Sequence, residues 1–258
     1  MVEHPRIGDA FGETMRAALA EQRGQGPRPT IGGRIPRSVI EIVERDDGMI
    51  NGAPAARYLS GPDQWQPFDL RALEMLDAPT LDVGAGAGRL ALALQDRGVP
   101  VTALDISPGA VEVAAARGVR QTVCATVAEH VASGARYDRF ALFGNNVGLL
   151  GSRESAPGFL GALAAMARPG ARIIAQGTDP YGGTDELHLA YHARNRAAGR
   201  MGGELRVRVR YRDLATEWFD YLLCTPEELA GLTRSTAWRL DDVDDADAPF
   251  YVATLTLA

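Results

Sequence analysis

The sequence predicts a doubly wound α/β domain on a mostly parallel sheet, with a C-terminal antiparallel hairpin and an N-terminal helical cap. Three observations carry that expectation. From Thr80 to Gln176, short apolar runs alternate with helix-length amphipathic stretches, and strands separated by helices at this interval pair in parallel with helices on both faces. The first run stops at a cluster of glycines (Gly84, Gly86 and Gly88) before a helix begins. The tail beyond Glu204 changes to period two, the mark of half-buried antiparallel strands.

Residues 1–35 contain Arg23-Gly-Gln-Gly-Pro-Arg-Pro-Thr30 and Gly32-Gly33, a composition that predicts a mobile arm, with a short helix over Thr14–Gln22. Residues 36–76 read as the helical cap, broken near Gly48, Gly52 and Gly61-Pro62. Residues 77–258 form the main domain. Its strands are expected at Thr80–Val83, Val99–Leu104, Val119–Cys124, Tyr137–Phe143 and Ala171–Gln176. Helices are expected over Arg89–Arg97, from Ser107-Pro108 to about Arg117, and over Ser155–Ala167. Residues 178–224 read as an insertion over the pocket mouth, in which Glu204–Arg212 and Glu217–Leu223 pair as a hairpin. Thr225-Pro-Glu-Glu228 is a capping box opening a helix, and Trp238–Val243 with Tyr251–Leu257 closes the chain as a second hairpin.

Composition narrows the class of protein. The 258 residues are 46% hydrophobic and 23% charged, the balance of an ordinary globular protein. No run approaches the roughly 20 apolar residues that span a bilayer, and Met1 to Gly12 has no apolar core of a secretory signal. Two well-separated cysteines, Cys124 and Cys224, fit reduced thiols in a cytoplasmic protein. A net charge of −6 argues against a nucleic-acid partner. Every basic residue is Arg, so Schiff-base chemistry on a lysine is excluded.

Asp82-Val-Gly84-Ala-Gly86-Ala-Gly88-Arg89 lies at a strand-to-helix junction, the crevice where doubly wound sheets bind ligands. Glycines admit a ligand close to the backbone. Asp105, 21 residues after Gly84 at the tip of the next strand, can accept from both hydroxyls of a ribose. A dinucleotide fingerprint needs its third glycine at position 89, where this chain has Arg. The spacing therefore disfavours a pyrophosphate cofactor and suits S-adenosylmethionine, whose zwitterionic tail and sulfonium need close backbone and a carboxylate.

Leu81–Arg89, Val101–Pro108 and Ala167-Arg-Pro-Gly170 together resemble the motifs of class I S-adenosylmethionine-dependent methyltransferases of the bacterial small-molecule type, with a likeness running from about Arg45 to the C-terminus. The resemblance implies a Rossmann-like fold and S-adenosyl-L-methionine as cofactor. It implies that Gly84, Ala85 and Gly86 line the methionine end, Asp105 holds the ribose and Ile106 packs on adenine, with adenine contacts near Ala125 and Thr126. Asp82 and Asn145 join the expected cofactor set, and Tyr58 is expected there as a lid, core packing being the alternative. The chain lacks the acidic residue the family often has after its third strand, and it lacks the Pro-Pro-Tyr of nucleic-acid amino methylation after Gly144-Asn145-Asn146.

Methyl transfer from a sulfonium is an in-line displacement that alignment alone accelerates greatly, so a base is optional. Asn146, His188 and His192 are the candidate catalytic groups. His188 and His192 share one helical face, but with no third ligand in sight no metal is expected. The stripe Arg206, Arg208, Arg210 and Arg212 reads as a solvated strand face, the alternative being a clamp for an acidic substrate. The expected activity is methyl transfer to O, N or C of a small molecule in specialised metabolism, with no membrane or nucleic-acid partner. Aminocarboxypropyl transfer, cyclisation, or non-catalytic cofactor binding are the alternatives. The oligomeric state stays open, a homodimer being one option.

Overall fold

The computed structural model describes residues 5–25 and 38–258. In chain order its elements are β1 (Arg6–Ile7), α1 (Ala10–Gln22), β2 (Ile40–Arg45), β3 (Ile50–Pro54), α2 (Pro67–Glu74), β4 (Thr80–Val83), α3 (Arg89–Asp96), β5 (Val101–Asp105), α4 (Pro108–Arg117), β6 (Thr122–Cys124) and α5 (Val127–His130). There follow β7 (Tyr137–Leu142), α6 (Ala156–Ala165), β8 (Ala167–Thr178), α7 (Glu186–Ala197), β9 (Glu204–Tyr211), β10 (Leu214–Ala215), β11 (Phe219–Leu222), α8 (Pro226–Thr233), β12 (Trp238–Asp244) and β13 (Phe250–Leu257). Among the described residues no helix is long and apolar enough to cross a membrane.

The main sheet has seven strands in the order β12-β13-β8-β7-β4-β5-β6. Pairing is parallel from β8 to β6, and β13 runs antiparallel to both its neighbours. Alternation along each strand divides the interior into two cores. Leu81, Val83, Phe140, Leu142 and Ile173 pack on one face with α6 and α8, while Ala103, Ala141, Ile174 and Val252 meet α2 and α3 on the other. Local chemistry sets the helix ends as the sequence predicts. Ser107 caps α4 ahead of Pro108, and Thr225 with Glu228 forms the capping box of α8.

Residues 40–54 differ from the expected helical cap. Here β2 and β3 form a hairpin around Asp46–Gly48, and β2 joins β9 from the inserted segment. The result is a six-stranded second sheet, β1-β10-β9-β2-β3, with β11 also on β9. β3 is a local partner of β2, but its second partner, β9, lies more than 150 residues away in sequence, where local pattern has no access to it. The arginine stripe on β9 is answered by acids on neighbouring strands: Arg206 pairs with Asp220 at 3.0 Å, and Arg208 and Arg210 share Glu44 at 2.9 and 3.2 Å. The exposed Arg206–Asp220 pair contributes about 0–1 kcal/mol, whereas Glu44 with Arg208 is largely buried.

The first segment is also more structured than a mobile arm. Residues 10–22 form α1, whose Met15, Ala18 and Leu19 bury against Ala110 and Val113 of α4 and against Ala55, Leu59 and Ala87. Residues 1–4 and 26–35 of the expected arm lie outside the described residues. Residues 55–74 keep helical character in two short 3-10 helices and α2, and α1 adds a further helix from the first segment.

Where the insertion returns to the main sheet, Leu223 N donates to Gly203 O at 2.9 Å. A Cβ added at Gly203 overlaps the Leu223 carbonyl oxygen, a backbone atom with nowhere to go. Gly203→Ala is therefore expected to cost about 1–3 kcal/mol or more, read as a lowered midpoint in thermal unfolding; an unchanged midpoint overturns the expectation.

Candidate active site

The site is built on the turn between β4 and α3. Gly84, Gly86 and Gly88 take φ of +70°, +54° and +76°, which L side chains rarely adopt. Gly84 N and Ala85 N donate to Leu104 O at 2.8 and 3.0 Å, drawing the turn onto β5. Asp105 at the tip of β5 finishes the loop. Its Oδ2 accepts from Gly86 N and its Oδ1 from Ser107 N, both at 2.8 Å. Burial raises the Asp105 pKa, and the two N–H donors oppose that rise. Each carboxylate oxygen keeps a lone pair for a further donor. Beside it Ile106 is 71% exposed, an apolar side chain left in the open at the crevice.

The other predicted cofactor residues sit around this loop. Ala125 N donates to Asp105 O at 3.1 Å, which places the end of β6 against it. Thr126 uses its hydroxyl to cap α5 in a box with Glu129. Asp82 is 2% exposed, and its Oδ2 has no hydrogen-bond partner among the described residues. Burial pushes its pKa up to about 7, the Arg89 cation opposing and Asp105 adding to the rise.

The chain leaving β7 closes the next side. Gly144 and Asn145 both lie at positive φ, +72° and +73°. A left-handed non-glycine residue of this kind stores strain and is enriched at functional sites. The turn is held from several directions. Thr178 Oγ1 donates to Asn145 Oδ1 at 2.9 Å, and Tyr221 OH donates to Asn145 O at 2.7 Å. Asn146 Nδ2 donates to Val83 O and Gly84 O at 2.9 and 3.0 Å, stitching this turn to the glycine loop. Gln176 accepts from Gly144 N and donates to Asp69 Oδ1, and Asp69 also meets Arg89.

Above the loop, the Phe11 and Tyr58 rings come within 3.6 and 3.8 Å of where a Cβ on Gly86 would stand. They pack edge to face at 5.4 Å. Tyr58 OH donates to buried Glu41 on β2, which also pairs with Arg57. Burial raises the Tyr58 pKa strongly, so it stays a neutral donor. Tyr58 thus stands beside Gly86 and also packs against the core under α1, while Phe11, Glu41, Asp69, Gln176 and Tyr221 escaped sequence reasoning. For Tyr221 the period-two tail was a signal, but one that read only as hairpin packing.

His188 and His192 form a separate cluster on α7, ring centroids 6.4 Å apart. His188 Nδ1 lies 3.0 Å from Arg45 Nη1. His192 is 3% exposed, packs edge to face on Tyr181, and has no partner for Nδ1 among the described residues. Burial lowers its pKa, and Arg196, His188 and Arg45 lower it further, so it is neutral at physiological pH. The structure therefore gathers Asp82, Asp105, Ile106, Asn145, Asn146 and Tyr58 around the Gly84–Gly86 loop. No described hydrogen bond links the histidine pair to Asn146. Among the described residues no three His, Cys, Asp or Glu side chains are placed to hold a metal.

Residues 80–170, which span the glycine loop, Asp105 and the β7 turn, match the family model described as Methyltransferase domain. The chain also matches a SAM-dependent methyltransferase from Bacteroides fragilis, solved with S-adenosyl-L-homocysteine, at 25% identity over 99% of both chains and a TM-score of 0.77. Residues 80–170 thus carry a methyltransferase domain, in a chain that shares its fold with a SAM-dependent methyltransferase.

Other solved structures share the methyltransferase fold more distantly. The 1,6-didemethyltoxoflavin-N1-methyltransferase of Burkholderia thailandensis matches at 22% identity, covering 75% of this chain and 77% of that one, with a TM-score of 0.50. The CcbJ methyltransferase of Streptomyces caelestis matches at 18% identity, over 76% and 94%, with a TM-score of 0.55. Curated proteins offer no significant sequence match. The full-length match matters for the methyltransferase reading because it includes α1 and the second sheet, which lie outside the matched family domain.

Proposed function

We propose that the chain transfers a methyl group from S-adenosylmethionine to a small-molecule acceptor. The observation that carries the reading is the Asp105–Gly86 pair: a buried carboxylate pinned to a glycine loop, with lone pairs free for ribose hydroxyls. Asp105 takes the ribose, Gly84, Ala85 and Gly86 take the methionine end, and Asp82 supplies a carboxylate beneath them. Ile106 offers its exposed face to adenine, with the Ala125 and Thr126 backbone alongside. Asn145 and Tyr58 complete the enclosure.

A small acceptor is supported by the relatives. The Bacteroides fragilis enzyme was solved with the demethylated cofactor product, and the Burkholderia thailandensis enzyme with S-adenosylhomocysteine and 1,6-didemethyltoxoflavin. When bound, the cofactor brings an activated methyl; the protein's part is to orient the acceptor and exclude water. Asn146 serves by holding the glycine loop, since its amide is spent on Val83 O and Gly84 O. His192, neutral and with an unpartnered nitrogen, and its neighbour His188 are the groups suited to bind the acceptor or take its proton.

Calorimetric titration of the protein with S-adenosylmethionine and, separately, NADH tests the reading. Binding of S-adenosylmethionine at about micromolar strength, lost in Asp105→Ala, is the expected result. Binding of NADH instead, or of neither, overturns it. Product mass from acceptor mixtures then separates methyl transfer from transfer of the aminocarboxypropyl group.

A further inference from the structure

Resting on that reading of the glycine loop, we infer that Asp9 is the latch of a cofactor-retaining lid: its carboxylate ties α1 to the start of α4, so that Phe11 closes over Gly86. Asp9 is the N-cap of α1, and Oδ1 accepts from Gly12 N at 2.9 Å. A cap needs no more than that. Yet the same oxygen accepts from Ser107 Oγ at 2.7 Å, and Oδ2 accepts from Gly109 N at 2.8 Å, both across the interface. One carboxylate thus serves the N-termini of two helices, whose first N–H groups have no partner within their own helix.

The contact is placed to act on the cofactor. Ser107, which donates its hydroxyl to Asp9, donates its backbone N–H to Asp105 Oδ1. The latch and the ribose carboxylate therefore hang on a single residue. Gly12 and Gly109 let the helices approach so closely that a Cβ on either stands 2.7 Å from the other's Cα. Two residues beyond Asp9, the Phe11 ring lies over Gly86, braced by Tyr58. A ligand seated on Gly86 leaves past these rings, and α1 lifts only when Asp9 releases Ser107 and Gly109. The effect of the latch falls on dissociation rather than association.

The test is the dissociation rate of S-adenosylhomocysteine from the full chain in four variants. Asp9→Asn keeps an oxygen to cap α1 and to accept from Ser107 Oγ but turns an amide towards Gly109 N–H, so it breaks the Gly109 arm of the latch and spares the cap. Phe11→Ala removes the closing ring and leaves the latch. Arg16→Ala removes the Arg16–Glu13 pair within α1 and the Arg16–Glu112 pair, another tie between α1 and α4, while leaving the Asp9 bonds and Phe11 in place. Asp9→Ala removes cap and latch together. Charge-assisted bonds of this kind set the expected rise at about tenfold for Asp9→Asn, Asp9→Ala and Phe11→Ala, against about twofold or less for Arg16→Ala. Amide exchange over Ala10–Leu19 reports whether α1 stays helical in Asp9→Asn. A wild-type rate in Asp9→Asn, or an equal rise in Arg16→Ala, overturns the latch while leaving the cofactor reading intact. If the unmodified protein takes up no S-adenosylhomocysteine, the cofactor reading itself fails and the latch with it.

Discussion

Gly84→Ala is expected to reduce S-adenosylmethionine affinity by about a hundredfold or more, close to 2.7 kcal/mol, while the chain stays folded. Two costs combine. Gly84 sits at φ +70°, where an L residue costs roughly 1–2 kcal/mol. Its new Cβ would stand 2.7 Å from Asn146 Nδ2 and 2.8 Å from Leu149 Cδ1. Asn146 must then leave Val83 O and Gly84 O, and each lost bond costs about 0.5–1.5 kcal/mol. The turn after β7 comes away from the glycine loop at the point where the methionine end is proposed to lie. The sum stays inside the 5–15 kcal/mol that typically holds a domain folded. Calorimetry paired with circular dichroism checks it: a folded variant that binds within about threefold of the parent sinks the assignment of Gly84 to the cofactor site.

Asp82→Asn is expected to stabilise the protein, increasingly as pH rises above about 4 and fully by neutral pH. The Asp82 pKa rises from 3.8 in the unfolded chain to about 7 in the fold, chiefly by burial. Between those values the folded chain holds a proton that the unfolded chain has lost. Stability therefore falls as pH rises through about 4 to 7 and levels off above. At 1.36 kcal/mol per unit the full effect is of order 4 kcal/mol. Asn has the same shape and no charge to bury. Thermal unfolding of both proteins is expected to agree near pH 4 and to separate progressively towards pH 8, the variant melting higher. Parallel curves across that range would mean that Asp82 titrates normally, and the account of its burial would be wrong.

Much of this site was legible along the chain because its parts are local. Gly84, Gly86, Gly88 and Asp105 lie within 22 residues, and a strand, tight turn and helix are specified by neighbours in sequence. The strand expected at Val119–Cys124 begins only at Thr122, since Val119 instead packs into the core beside α3 and α4. Ala171–Gln176 lengthens to Ala167–Thr178 because β7 pairs with Ala167 and Arg172–Ala175 and β13 with Arg172–Thr178.

The sequence by itself determined the order of the parallel strands' segments, the helix caps, the glycine loop and the carboxylate opposite it, each written in contiguous residues. Tertiary structure alone decided that the β2–β3 hairpin joins a larger sheet, because β9 supplies the second edge of β2 with backbone partners across more than 150 residues of chain. It alone brought Asp9 onto Ser107 and Gly109, Asp69 onto Gln176 and Arg89, and Tyr221 onto Asn145. Local pattern encodes which face of an element is apolar, whereas the pairing of buried polar groups is settled only when distant segments leave water together, each donor then needing whatever acceptor the fold has brought beside it.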